Sequence, residues 1–183
     1  MMKSLLLILL LALGSANLKA QVVYNQGNNT VKGKLASYYC VEIVPNLIIK
    51  VRNVLNKDTL LTMYYDDGEK VPQGKMLDSE YDFKYSDYIQ AFKDVLTSQE
   101  LQQLKNMIGT FTTNVVADKL GNALEVNFVF SKKNSVLMKL DVDRLFQLET
   151  KLKKLLKLKI KGEDSKIKNV KYSVVITFKQ DLQ

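Results

Sequence analysis

The chain has 183 residues, with 27 Lys and Arg against 19 Asp and Glu, one cysteine, no histidine and no tryptophan. Without histidine there is no imidazole base, no Ser-His triad and none of the commonest zinc ligation, and a lone cysteine forms no intrachain disulfide. A net charge of +8 and a hydrophobic share of 46% suit a folded domain with a full core rather than a disordered chain.

The first residues read as an export signal. Met1-Met2-Lys3 is a short positive start, Leu5 to Leu13 is an unbroken apolar run, and Gly14-Ser15-Ala16 loosens the segment ahead of Ala20. The run is about half of what a bilayer-spanning helix needs, so residues 1–20 are expected to be a cleaved signal peptide. The expected location is the periplasm, or the extracellular surface of a bacterium, with no membrane span in the mature chain. Residues 21–183 then form one α+β domain, divisible into a β-rich part (21–78), a helical pair (79–109) and a C-terminal unit (110–183).

In the β-rich part, Val22-Val23-Tyr24 reads as a short edge strand and Gly27-Asn28-Asn29-Thr30 as a turn. Tyr38 to Val44, Leu47 to Leu55 and Thr59 to Tyr65 read as a three-stranded β-meander, broken at Pro45-Asn46 and Asn56-Lys57-Asp58. Alternation puts Tyr39, Val41 and Ile43 on one face and Cys40 beside Glu42 on the other, leaving open which face is buried. A thiolate nucleophile needs a neighbouring base or cation, so Cys40 receives no catalytic role. Asp66-Asp67-Gly68 closes the third strand in a tight turn, and Lys70 to Asp78 is a crossing loop around Pro72 and Gly74.

Two helices follow. Ser86 is placed to cap the first, in which Tyr88, Phe92 and Val95 share a face. Thr97-Ser98-Gln99-Glu100 has the spacing of a capping box for the second, which is expected to bury Leu101, Leu104, Met107 and Ile108 and to stop at Gly109.

After Gly109 the apolar period becomes two. Phe111 to Ala117 and Leu124 to Phe130 are strands joined by the loop Asp118-Lys119-Leu120-Gly121-Asn122, and Ser135 to Leu140 reads as a third. A long helix, Asp143 to Leu156, is capped by Asp141 or Asp143. At about 100° per residue, Leu145, Leu148, Leu152, Leu155 and Leu156 fall on one arc. Leu156 to Lys161 alternates as a strand with one wet face, and Tyr172 to Phe178 closes the sheet. The fold class is therefore α+β. An antiparallel or mixed sheet carries a long C-terminal amphipathic helix, with the N-terminal meander and the helical pair beside it.

Three stretches resemble the C-terminal domain of the TonB energy-transducing proteins. They are the strand pair around Asp118 to Asn122, the helix running into Leu156-Lys157-Leu158-Lys159-Ile160, and the closing strand Tyr172-Ser173-Val174-Val175-Ile176-Thr177-Phe178. The resemblance covers about seventy residues and rests on pattern. It implies a β-β-β-α-β-β unit and a periplasmic module that pairs an exposed strand with a partner's segment. The apolar segment reads as cleavable and not as that family's retained anchor, and no proline-rich spacer follows it. As a whole the chain also resembles small uncharacterised secreted proteins of gut bacteria, a likeness that brings no activity with it.

The charge is unevenly spread. Gln21 to Gly109 holds 10 basic and 11 acidic residues, a balance of −1, while Thr110 to Gln183 holds 15 and 8, a balance of +7. Lys151, Lys153, Lys154 and Lys157, continued by Lys159 and Lys161, are the candidate anion contacts; a solvated helix face is the plainer account of them. Nucleic acid is not expected as a partner, because no arginine or aromatic residue is interleaved with these lysines. Asp66, Asp67 and Glu69 are the densest carboxylate cluster, at a turn where carboxylates face water. Tyr81, Phe83, Tyr85, Tyr88 and Phe92 have the composition of a sugar-stacking surface but the spacing of packing residues. There is no phosphate-cradling glycine loop and no Gly-x-Ser-x-Gly, and no catalytic residue, metal ligand or cofactor is assigned. The reading is a secreted or periplasmic, non-enzymatic interaction module with a periplasmic or cell-surface protein partner. The alternatives are a polyanion or glycan binder using the lysine-rich helix face, and a hydrolase using paired carboxylates.

Overall fold

A computed structural model of the chain describes residue 24, residues 29–57 and residues 62–182. The fold is α+β, built on one six-stranded antiparallel sheet in the order β1-β2-β3-β6-β5-β8. The strands are β1 (Asn29–Lys32), β2 (Ser37–Val44), β3 (Ile48–Asn53), β5 (Thr110–Ala117), β6 (Ala123–Ser131) and β8 (Val170–Thr177). Because β3 pairs with β6, the N-terminal meander and the C-terminal strands share one sheet. The helices are α1 (Tyr85–Lys93), α2 (Ser98–Lys105), α3 (Val142–Leu155) and a short α4 (Phe178–Asp181). None of the described helices is long and apolar enough to cross a membrane.

The long helix lies on the sheet as its leucine spacing requires. Leu145, Leu148, Leu152 and Leu156 are buried, and Leu155 packs at the margin of the same core. Asp141 caps it, its carboxylate accepting from the amides of Asp143 and Arg144. That satisfies two of the four free donors at the helix start, where negative charge is also favoured. The capping box of α2 is formed as well, with Thr97 accepting from the Glu100 amide and Glu100 reaching back to Thr97. Arg144 of α3 ties the two helices together. Its guanidinium donates to the Val95 carbonyl (3.1 and 2.6 Å) and to the Glu100 carboxylate (2.9 and 2.5 Å).

On the inner sheet face Tyr38 and Cys40 are buried, so the cysteine side of β2 is the core side. Burial pushes the Cys40 thiol up to about 12, which keeps it protonated and unreactive. The β5–β6 loop is held by Asp118, whose carboxylate accepts from the amides of Leu120 and Asn122. Gly121 there has φ +81° and lies against Leu158, whose amide it receives at 2.9 Å.

Several elements depart from the expectations drawn from pattern. Asn29 and Thr30 begin β1 instead of forming a turn. Val22 and Val23 lie outside the described residues. Tyr24 sits in a turn, buried, with its hydroxyl on the Leu140 carbonyl at 2.8 Å. Of the strand expected over Thr59 to Tyr65, the first residues fall outside the described part, and Tyr64 and Tyr65 form only isolated bridges, to Lys70 and Ile167. The Asp66-Asp67-Gly68 turn between the first of these pairs is present, with Gly68 at φ +90°.

Lys84, not Ser86, occupies the cap position of α1, and no side chain bonds there. The second helix ends at Lys105, before it can bury Ile108, which is 97% exposed. Ser135 to Leu140 is a 3-10 turn (Leu137–Lys139), not a strand. Asn134 binds the Leu137 amide with its side chain and the Met138 amide with its main chain, and Val136, Leu137, Met138 and Leu140 are all buried. With every one of them inside, alternation there carried no facing information.

The lysine-alternating segment yields only β7 (Leu158–Lys159). It pairs with β4 (Glu80–Tyr81) in a separate two-stranded sheet. The Leu158 amide is drawn to Gly121 and the Lys157 carbonyl to Asp82, so the segment never reaches the main sheet. Phe178 opens α4 instead of ending the closing strand.

Candidate functional site

The helices occupy one face of the sheet, and no described helix packs on the other. Strand register fixes what that second face presents. Thr30 stands opposite Tyr39, Tyr39 opposite Arg52, Arg52 opposite Asn127, Asn127 opposite Asn114, and Asn114 opposite Ser173. A continuous polar row thus crosses all six strands. The parallel row beside it is Val41, Lys50, Val129, Thr112 and Val175. Asparagine is a poor strand former, so two of them opposed at the centre of a sheet trade strand propensity for hydrogen bonding.

The row is internally wired. The Arg52 guanidinium lies over the Tyr39 ring, 5.1 Å from its centroid, and donates to the Asn56 carbonyl at 3.2 Å. Asn56 in turn donates its amide to the Val126 carbonyl (2.9 Å) and to Asn127 Oδ1 (3.1 Å). At the far end Ser173 donates its hydroxyl to Asn114 Oδ1 at 2.7 Å. Both asparagine oxygens are therefore used inside the protein. The donors left to the row are the remaining guanidinium N–H groups of Arg52 and the side-chain amide of Asn114, both on half-buried residues. Asn127, only 3% exposed, is the anchor beneath them. A planar cation held between an aromatic ring and a carbonyl is pre-organised for a carboxylate or similar anion.

The row runs out beside an aromatic hollow of about 340 Å³ lined by Tyr81, Phe83, Tyr85 and residues 173–175. Tyr81 is 56% exposed and Tyr85 42%, while Tyr88 and Phe92 are core, so the aromatic cluster divides between packing and surface. The Tyr81 hydroxyl donates to the Ser173 carbonyl at 2.9 Å and that of Tyr85 to the Val175 carbonyl at 2.8 Å. The open edge of β8 is thereby blunted by side chains in place of a neighbouring strand. Nothing in the sequence announced this row; the signal, seen afterwards, is Asn114 and Asn127 inside otherwise apolar strands.

The lysines singled out from sequence are not gathered into one free patch. Lys151 pairs with Asp94, the C-cap of α1, at 2.9 Å and Lys153 with Glu149 at 2.7 Å, while Lys161 pairs with Glu80. Lys154 and Lys157 are exposed on the last turn of α3 and just after it, where cations complement the helix C-terminus. Gln90 and then Lys151 lower the Asp94 carboxyl below its ordinary value.

The acidic turn is a shallow surface feature. Asp66 pairs with Lys119 at 2.5 Å, and Asp66 and Asp67 share a hollow of about 410 Å³ with Tyr65, Glu163 and Lys166. Among the described residues no three His, Cys, Asp or Glu side chains gather to hold a metal. Glu42, Glu80, Asp94, Glu100 and Asp164 all have lowered pKa values, set by lysine, arginine, serine or amide partners. A general acid needs the opposite shift.

Among solved structures, that of a DUF5043 family protein from Bacteroides uniformis ATCC 8492 matches this fold with a TM-score of 0.70. The match covers 89% of this chain and 92% of that one, at 18% sequence identity. At that identity the likeness shows a shared fold alone, and it accords with the gut-bacterial look of the chain. No family model and no curated protein matches the sequence.

Proposed function

We propose that this chain is an exported, non-enzymatic recognition module whose ligand docks on the face of the six-stranded sheet that no described helix covers. One observation carries the reading: the in-register row Tyr39–Arg52–Asn127–Asn114–Ser173, whose two asparagine oxygens are bonded within the protein and which keeps the Arg52 guanidinium and the Asn114 amide as donors. Export rests on the signal-like start of the sequence, which lies outside the described residues. The TonB-type alternative, pairing of a partner strand at a sheet edge, would at β8 have to displace the two tyrosine hydroxyls. The face requires no such displacement. Lowered carboxylate pKa values and a buried, protonated cysteine favour binding over hydrolysis. The lysine-bearing helix face is the weaker anion site because Lys151 and Lys153 already have carboxylate partners.

Retention on immobilised heparin, used as a general polyanion probe, separates the two faces. Charge reversal on the sheet (Arg52→Glu) is expected to abolish retention, whereas reversal on the helix (Lys154→Glu with Lys157→Glu) leaves most of it. The opposite pattern would move the site to the helix, and absence of retention by the parent protein would reject an anion-binding face.

A further inference from the structure

We infer that the ligand of this face is a linear, carboxylate-bearing oligosaccharide lying across the strands, with a sugar ring seated in the aromatic hollow beside β8. This rests on the reading of the sheet face as the binding surface, and adds to it the chemical class and the direction of the ligand.

Three features select that class. The first is charge. Lys32, Lys50, Arg52 and Lys171 stand on this face against Glu125, four cations to one carboxylate, with Lys171 Nζ held on the Thr62 carbonyl at 2.9 Å. The guanidinium held on Tyr39 matches a carboxylate in shape as well as sign.

The second is length. From Tyr39 on β2 to Ser173 on β8 the row crosses four strand spacings, about 19 Å, beyond the reach of any single sugar. Arg52 and Asn114 stand two spacings apart, about 10 Å, so they meet successive units of a polymer and not one anion.

The third is the far end of the row. There Tyr81, Phe83 and Tyr85 offer ring surface with hydroxyl oxygens at its rim. Those hydroxyls spend their hydrogens on the Ser173 and Val175 carbonyls and keep lone pairs for a sugar O–H. An acidic peptide fits less well. The main-chain groups of the interior strands are already paired within the sheet, so a peptide lying across them would find no backbone partners, and strand addition works only at an edge.

The test is calorimetric titration of the mature protein with oligogalacturonides of two to six units. Cello-oligosaccharides of equal length and a short poly-glutamate peptide serve as comparators. The acidic oligomers should bind with affinity that rises with length and levels off near four or five units, and both comparators should bind at least about tenfold more weakly. Arg52→Gln should cost about tenfold or more, and Arg52→Lys less, since the charge stays and the fork is lost. Tyr81→Ala should weaken the longer oligomers more than the dimer. Unchanged thermal melting of Arg52→Lys separates lost contact from lost fold.

Equal affinity for the neutral oligomers, tighter binding of the peptide, no dependence on length or no binding of the uronates would each overturn the inference. If heparin retention still depends on Arg52 under any of those outcomes, the sheet face stands as the site and only the ligand class falls.

Discussion

Tyr38 on β2 donates its hydroxyl to the carboxylate of Glu149 on α3, across 111 residues of sequence. Glu149 is 1% exposed. Asn53 of β3 donates to the same oxygen at 3.0 Å, and Lys153 stands 2.7 Å from the other. A carboxylate between a helix and a sheet is costly unless its lone pairs are met, so this cluster fixes how α3 sits on β2 and β3. Tyr38→Phe leaves the carboxylate short of a donor and is expected to destabilise the fold by about 1–3 kcal/mol. Pairing it with Glu149→Met should cost less than the sum of the two single changes. Urea titration with unchanged m-value checks both.

Buried tyrosines make the protein sensitive to alkali. Burial raises the hydroxyl pKa values of Tyr24, Tyr38, Tyr88 and Tyr172. Their contribution is complete below the unfolded value of about 10. It is lost as pH rises further, because the unfolded chain releases those protons while the folded chain retains them. Between pH 10 and pH 11 stability should fall by roughly 1 kcal/mol per buried tyrosine. Absorbance at 295 nm should show these rings ionising only with unfolding; smooth titration of all nine near pH 10 would contradict it.

Glu100 gives the opposite dependence. Its bond to Arg144, helped by Thr97, holds its carboxyl at about 2 instead of 4.5. A lowered value stabilises the fold above the ordinary pKa, and that share is lost as pH falls from about 4.5 toward 2. Glu100→Gln should flatten this part of the acid profile. The charge of the link to Arg144 goes with it, while a glutamine at this position still completes the capping box, so about 1–2 kcal/mol should be lost at neutral pH.

Gly121 is the hairpin position least able to change. A Cβ there would stand 1.8 Å from the Leu158 carbonyl oxygen, at φ +81°. Gly121→Ala is expected to cost roughly 2–4 kcal/mol and to loosen β7, which a drop in amide protection at Leu158 would register.

Cys40, fully buried with its thiol pushed up to about 12, should resist a thiol reagent in the folded protein and react at once in denaturant. Cys40→Ser places a hydroxyl in an apolar site and should cost about 1–3 kcal/mol, whereas Cys40→Ala leaves only a small cavity. Rapid labelling of the native thiol would overturn its placement in the core.

Local pattern determined much of this molecule. The leucine arc of α3, the capping box at Thr97, the Asp118 loop and the period-two strands β5, β6 and β8 each follow from spacing between near neighbours. So does the α+β class, because those signals need no knowledge of what lies across the core. Pattern failed where apolar residues are buried on every side, as at Val136 to Leu140, or where distant hydrogen-bond partners compete, as at Leu158 with Gly121.

The candidate site belongs wholly to the tertiary structure. Tyr39, Arg52, Asn127, Asn114 and Ser173 are scattered along 135 positions and become one row only through strand register and strand order. Neither is encoded by any local stretch. Long-range pairing also occupies Lys151 with Asp94, whereas Lys153 meets Glu149 four residues earlier on its own helix. Sequence spacing fixes which side chains share a face of one element; only the packed sheet decides which faces meet and which remain open to a ligand.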